Sequence, residues 1–196
     1  MRYVLSDLDG VLVDSGAEVE RIWREWAVAH GLDPDAVARA SHGVPAKDVL
    51  ERVAPHLNEP EEIDRIERAH AATGGRALPG AAELLALDRV GVVTSCSPQL
   101  AAARLRAAGL DTPKVLITAD LTLRGKPHPD PYLAGAQALG ADPRDCLVIE
   151  DAPAGVAAAK AAGMTVWAVT TTHTAAELGH ADQVLGGLDE VLSRRR

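Results

Sequence analysis

Tyr3-Val4-Leu5-Ser6-Asp7-Leu8-Asp9-Gly10 decides the fold: an apolar run too short for a helix stops at two carboxylates and a glycine. A buried strand accounts for the run, and a turn at its carboxyl end accounts for the polar residues that follow. The pattern recurs along the chain. Val90-Gly91-Val92-Val93 leads into Thr94-Ser95, Val115-Leu116-Ile117 into Thr118, and Cys146-Leu147-Val148-Ile149 into Glu150-Asp151. Residues 165–169 lead into Thr170-Thr171-Thr172, and 183–185 supply a sixth run. Helix-like stretches separate most of these runs. Such alternation predicts an α/β fold with a doubly wound, Rossmann-like parallel sheet.

One interval breaks the rhythm. Roughly 80 residues with no strand-like segment separate the first run from the second, far more than one crossover helix needs. Ser15-Gly16-Ala17-Glu18 has capping-box spacing, and Val19, Ile22, Trp23 and Trp26 then fall on one helical face until Gly31 supplies a stop. Further helices are expected from Asp33-Pro34, over 47–53 with Val49, Leu50 and Val53 on one side, and over 59–72. Residues 15–78 therefore read as a small inserted helical module. Residues 1–14 and 79–196 read as the α/β core, with Pro79-Gly80 marking the return and a helix resuming over 81–87.

The 196 residues suffice for one such core and its insert. Phe is absent, so the core must rest on Val, Leu, Ile and Ala, with only three Trp and two Tyr. Twenty basic against 28 acidic residues give a net charge of −8, the wrong sign for general attraction to nucleic acid or anionic lipid. Binding of an anion must then be local. The terminal Ser193-Arg194-Arg195-Arg196 reads as a solvated tail. Carboxylates come too early for a signal peptide, and no apolar run is long enough to span a bilayer, so a cytoplasmic protein is expected. Cys96 and Cys146 are far apart, without C-x-x-C spacing, and a disulfide is not expected. A monomer is the default.

The chemistry gathers at the strand ends. Asp7 and Asp9 follow the first run and Glu150 and Asp151 the fourth, positions where open α/β sheets bind ligands. An Asp-x-Asp-Gly segment also suits a solvated turn. Four carboxylates converging on one crevice, however, need a cation and a basic residue to offset their repulsion, and a hard ion such as Mg²⁺ accepts oxygen ligands. Lys126, in Arg124-Gly125-Lys126-Pro127, is the natural basic residue, although the same lysine suits a surface loop and no P-loop pattern is present. Thr94-Ser95-Cys96-Ser97-Pro98 offers hydroxyls and amides to phosphate oxygens at a helix start, or serves as an ordinary N-cap.

Taken together these four sites resemble the haloacid dehalogenase superfamily. Residues Asp7-Leu8-Asp9-Gly10-Val11-Leu12-Val13-Asp14-Ser15 are similar to its first motif, Thr94-Ser95 to its second, Lys126 to its third and Glu150-Asp151-Ala152-Pro153-Ala154-Gly155 to its fourth. The helical insert stands where members of that superfamily carry a small cap. Ser6 replaces the usual aromatic residue and Val11 a common Thr, and neither change removes a catalytic group. The resemblance implies a Mg²⁺-dependent hydrolase of phosphomonoesters, with Asp7 as the nucleophile that forms an aspartyl-phosphate and Asp9 as the acid and base. It implies metal ligation by Asp7, Asp151 and the Asp9 backbone carbonyl, with Glu150 as a ligand or a partner of one. Phosphate contacts fall to Thr94, Ser95, Lys126 and Gly10. Thr94 takes the hydroxyl role and Ser95 offers its amide, and a shift of one residue would exchange them.

The superfamily also contains dehalogenases, phosphomutases and proteins with little activity. A dehalogenase needs no metal and lacks the second Asp. A β-phosphoglucomutase-like enzyme shares all four motifs, but Gly43-Val44-Pro45-Ala46 has Ala where its cap carries Arg, leaving Lys47 or Arg52 as substitutes. A non-catalytic binding module would have lost a motif residue. Ser41-His42-Gly43 and the segments around Lys126 and Glu150 are most similar to glycerol-phosphate and 2-deoxyglucose-6-phosphate phosphatases. A small polyol or sugar phosphate is the implied substrate, with His42 and Lys47 as its candidate contacts from the insert.

Overall fold

In the computed structural model, which describes residues 3–41 and 44–195, β1 (Tyr3–Ser6) ends one residue before Asp7. A tight turn follows, then β2 (Val13–Asp14), α1 (Gly16–Ala29), α2 (Pro34–Ser41), α3 (Ala46–Val53), α4 (Pro60–Thr73) and β3 (Arg76–Ala77). The remainder runs α5 (Ala81–Leu85), β4 (Val90–Val93), α6 (Pro98–Ala107), β5 (Leu116–Ile117), α7 (Asp130–Ala138), β6 (Cys146–Glu150), α8 (Pro153–Ala161), β7 (Thr165–Val169), β8 (Gln183–Leu185) and α9 (Leu188–Arg195).

All six expected runs form one sheet in the order β5-β4-β1-β6-β7-β8, every neighbouring pair parallel. Strands β4 and β6 are buried along their whole length, as expected of a parallel sheet covered on both faces. Successive residues point to opposite faces: Val4, Val92 and Ile149 enter one apolar cluster with Leu84 and Leu105, while Leu5, Val93 and Val148 enter another with Tyr132 and Val156. The chain winds from β1 through β4 to β5 on one side, then jumps back across β1 to β6. That reversal opens a crevice at the carboxyl ends of β1, β4 and β6.

Helices α1 to α4 enclose an apolar cluster of their own, built from Trp23, Trp26, Val37, Val49, Leu50 and Ile66. Trp23 and Trp26 meet edge to face with centroids 5.6 Å apart. Two features depart from the reading of the sequence. First, the interval is not free of strands: β2 and β3 pair antiparallel where the chain leaves the core and returns, with Asp14 and Arg76 joined at 3.1 Å. Two-residue strands are too short to leave a periodic signature. Second, Ser15 stands at the N-cap of α1 without a capping hydrogen bond, because its hydroxyl donates to Asp9 Oδ1 instead.

Among the described residues no helix is long and apolar enough to cross a membrane. Leu5, on the central strand, is fully buried. Leu5→Ala is expected to lower unfolding free energy by about 2–5 kcal/mol, read from the urea midpoint, because the neighbouring strands and α7 cannot collapse into the vacated space.

Candidate active site

Three adjacent strands aim their ends at one point. Asp7 leaves β1, Thr94 leaves β4, and Glu150 closes β6 with Asp151 beyond it. Lys126 reaches this point from the loop before α7. Its ammonium donates to Asp7 Oδ1 at 2.7 Å, to Glu150 Oε1 at 2.7 Å and to the Val93 carbonyl at 3.1 Å. Burial opposes the ammonium charge, but the carboxylates of Asp7 and Glu150 outweigh it and hold the Lys126 pKa above the usual lysine value. The lysine is a fixed cation in the crevice rather than a surface loop residue.

Glu150 is fully buried and its acceptor sites are taken. Oε1 receives Lys126 and the Tyr132 hydroxyl at 2.6 Å, and Oε2 receives the Asp151 and Ala152 amides at 3.0 and 3.2 Å. Gly155 makes room for it, since a Cβ there would lie 1.7 Å from Oε1. Asp151 differs. Its Oδ2 accepts from the Thr172 hydroxyl, whereas its Oδ1 is buried with no hydrogen-bonding partner among the described residues. An ionised oxygen left in that state is costly unless a cation meets it. Oxygens of Asp7, Glu150 and Asp151 lie within 4.8 Å of one another, so a hard divalent ion fits beside Asp7 and Asp151, with Glu150 already committed to Lys126. Gly10, with φ +81°, turns the chain tightly here, and a Cβ on it would fall 2.0 Å from Asp151 Oδ2.

Three carboxylates and one ammonium leave an excess of negative charge. Burial, with Glu150 adding to it, pushes Asp151 well above the ordinary carboxylate range, and burial raises Asp7 to about 7 against the pull of Lys126. Asp9 has two donors and a cation around it. The Ser15 hydroxyl donates to Oδ1, the Cys96 thiol donates to Oδ2 at 3.0 Å, and Arg104 Nε forms an ion pair with Oδ1 at 3.2 Å. Burial and then the Asp9 charge keep Cys96 protonated, hence a donor. Arg104 is itself buried at 1% exposure and donates to the Gly74 carbonyl, just beyond α4.

Thr94 Oγ1 accepts the Cys96 amide at 3.1 Å, and Thr94 and Ser95 line the cavity. Ser97 caps α6 by accepting from the Leu100 amide, so the capping role falls on a different residue from the two assigned to phosphate. The cavity measures about 110 Å³ and is closed on the far side by Trp23, Val44, Pro45, Ala46, Glu67 and His70. Lys47 is exposed and does not line it. His42 lies outside the described residues.

Sequence reasoning missed Ser15, Cys96, Arg104, Tyr132 and Thr172. Ser15 and Cys96 had other readings, an N-cap and a lone thiol. An arginine in the alanine-rich 101–108 stretch gives no signal of burial. Thr172 stands in a run of three threonines that gives no sign of which one meets Asp151.

The haloacid dehalogenase-like hydrolase family model matches residues 1–163. Hexitol phosphatase A of Escherichia coli (strain K12) is 44% identical, over 95% of this chain and 91% of its own. Glycerol-1-phosphate phosphohydrolase 2 of Saccharomyces cerevisiae is 33% identical, over 86% of this chain and 74% of its own. The crystal structure of a hydrolase from Pseudomonas syringae superposes with a TM-score of 0.85 at 29% identity, covering 100% of this chain and 98% of that one.

Between its ordinary value of 3.8 and about 7, the folded chain holds a proton on Asp7 that the unfolded chain has released, so stability without a cation falls as pH rises through that window. Millimolar Mg²⁺ or Mn²⁺ should therefore raise the melting temperature by about 5 °C or more at pH 7.5 and by only about 1 °C at pH 5, where protons already neutralise the cluster. Equal shifts at the two pH values, or none, would contradict a cation site at Asp7 and Asp151.

Proposed function

The chain belongs to the haloacid dehalogenase-like hydrolase family and is a phosphatase, and from that premise we propose that it hydrolyses a small polyol or sugar phosphate through a phosphoryl group carried on Asp7. The observation that carries this reading is the Asp7 carboxylate held by Lys126 at 2.7 Å, on the wall of a cavity whose far side comes from the inserted helices. The names of the relatives point to the substrate class: a hexitol phosphatase and a glycerol-1-phosphate phosphohydrolase. A cavity walled by strand ends on one side and by the inserted helices on the other suits a compact metabolite better than a protein.

The Asp7 carboxylate attacks phosphorus and the bond from phosphorus to the ester oxygen breaks. Asp9, protonated, gives its proton to the departing alkoxide, which leaves as an alcohol. Asp9, now a carboxylate, then takes a proton from the water that attacks phosphorus, and Asp7 returns with release of inorganic phosphate. Lys126 and the Thr94 hydroxyl offset charge on the phosphoryl oxygens, and the Ser95 and Gly10 backbones orient them. Ser15, Cys96 and Arg104 hold Asp9 in place. Mg²⁺ would be held by Asp7, Asp151 and the Asp9 carbonyl, and when bound it supplies positive charge to the phosphoryl group. Glu150 positions Lys126 and the 151–152 backbone.

Residues 15–78 act as a cap that excludes bulk water, with hinges near 14–16 and 78–80 flanking the β2–β3 pair. The mutase reading has less support, since Ala46 lines the cavity where a mutase-like cap carries Arg, Lys47 and Arg52 are both exposed outside it, and Arg104, which does line it, is engaged with Asp9 and the Gly74 carbonyl. Purified protein screened against phosphorylated metabolites should release phosphate from a polyol or sugar phosphate with Mg²⁺ and lose that activity in EDTA. Asp7→Asn should lower kcat at least about a thousandfold while the circular dichroism spectrum stays unchanged. Metal-independent release, or an Asp7→Asn variant at full rate, would contradict the reading.

A further inference from the structure

His70, on α4, is 5% exposed, lines the cavity, and leaves its Nε2 buried with no hydrogen-bonding partner among the described residues. Such an orphaned polar atom is costly, and a ligand group that meets it recovers that cost. The imidazole sits edge-on to Trp23 with centroids 6.0 Å apart, a packing contact that helps to set its plane. Arg104, which lines the same cavity, is anchored on Asp9 Oδ1 and the Gly74 carbonyl. This side of the cavity therefore adjoins Asp9, the residue beside the departing alkoxide, whereas Lys126 marks the phosphoryl side.

We propose that His70 is a specificity-determining residue that hydrogen-bonds a hydroxyl on the carbon chain of the substrate, with Glu67 one helical turn away as a further acceptor. The inference rests on the polyol or sugar phosphate reading and adds the residue that recognises the organic part. A hydroxyl both donates and accepts, so it satisfies Nε2 in either imidazole tautomer. An anionic group fits worse. Burial first, then the nearby Arg104 charge, lowers the His70 pKa to about 4, which keeps the ring uncharged near neutral pH. The exposed Lys47 takes no part.

The test compares kcat/KM for a hexitol phosphate and for 4-nitrophenyl phosphate, which has no chain hydroxyl, in the full-length protein with Mg²⁺. His70→Leu should shift the ratio of the two at least about tenfold against the hexitol phosphate, mainly through KM, as expected when a site built for a hydroxyl loses its partner. His70→Asn, polar but shorter, serves if the leucine variant does not fold, and should shift the ratio about fivefold or more in the same direction. Equal losses on both substrates would reduce His70 to a packing residue, and no loss on either would leave it without a role; each result overturns the inference. A wild-type protein active on the aryl phosphate but on no polyol or sugar phosphate would instead remove the substrate reading, and this inference with it.

Discussion

The Lys126 ammonium is the contact on which the site depends. It binds the carboxylates that follow β1 and close β6 and the last carbonyl of β4, so one side chain ties together the ends of the three adjacent central strands. Strands β4 and β6 are buried along their length and β1 over Val4 to Ser6, so the charges meet in a setting of low dielectric that screens them weakly. Removing one partner of such a buried pair costs about 3–5 kcal/mol, because the remaining charges lose their compensation. The lysine thus serves the fold at rest and, in the proposed reaction, the phosphoryl group as well.

Division of labour among the carboxylates follows from their hydrogen bonds. Glu150 spends both oxygens on Lys126, Tyr132 and two backbone amides, and Gly155 leaves the space it needs. Asp151 keeps one oxygen open, steadied by Thr172 on the other. Asp9 is held from three places: by donors at the start of α1 and in the loop after β4, and by an ion pair from the interior of α6. Two adjacent acids, Glu150 and Asp151, look equivalent in sequence and differ because one side chain turns into the protein and the other toward the crevice.

The strands were legible because a parallel strand buried on both faces must be almost wholly apolar and must end at a polar residue; β4, β7 and β8 fall on the residues read from the sequence. Asp7, Lys126, Glu150 and Asp151 were legible because charged residues placed directly after such runs, or at a Gly-Lys-Pro break, have few structural reasons to be there. Arg104 and His70 were not, since each lies inside a helix whose pattern is explained by packing alone, and only the meeting of α4 with α6 reveals what they face. The β2–β3 pair was hidden by its length. Ser15 was read as a cap and acts on Asp9, a reminder that one hydroxyl satisfies more than one rule.

Asp9 touches Ser15 on the first turn of the inserted helices and Arg104, which in turn holds Gly74 at their end. The residue proposed as acid and base is thereby linked to both connections of the insert, so that the position of the helices and the orientation of Asp9 are set together. The central claim remains that Asp7 carries the phosphoryl group. Asp9→Asn, which cannot activate the water of the second step, should be mixed with Mg²⁺ and 4-nitrophenyl phosphate, whose leaving group departs without a proton, then quenched in acid and mapped by peptide mass spectrometry. The account expects the mass of one phosphoryl group on the peptide containing Asp7, whereas an adduct on another residue, or turnover with none on Asp7, would contradict it.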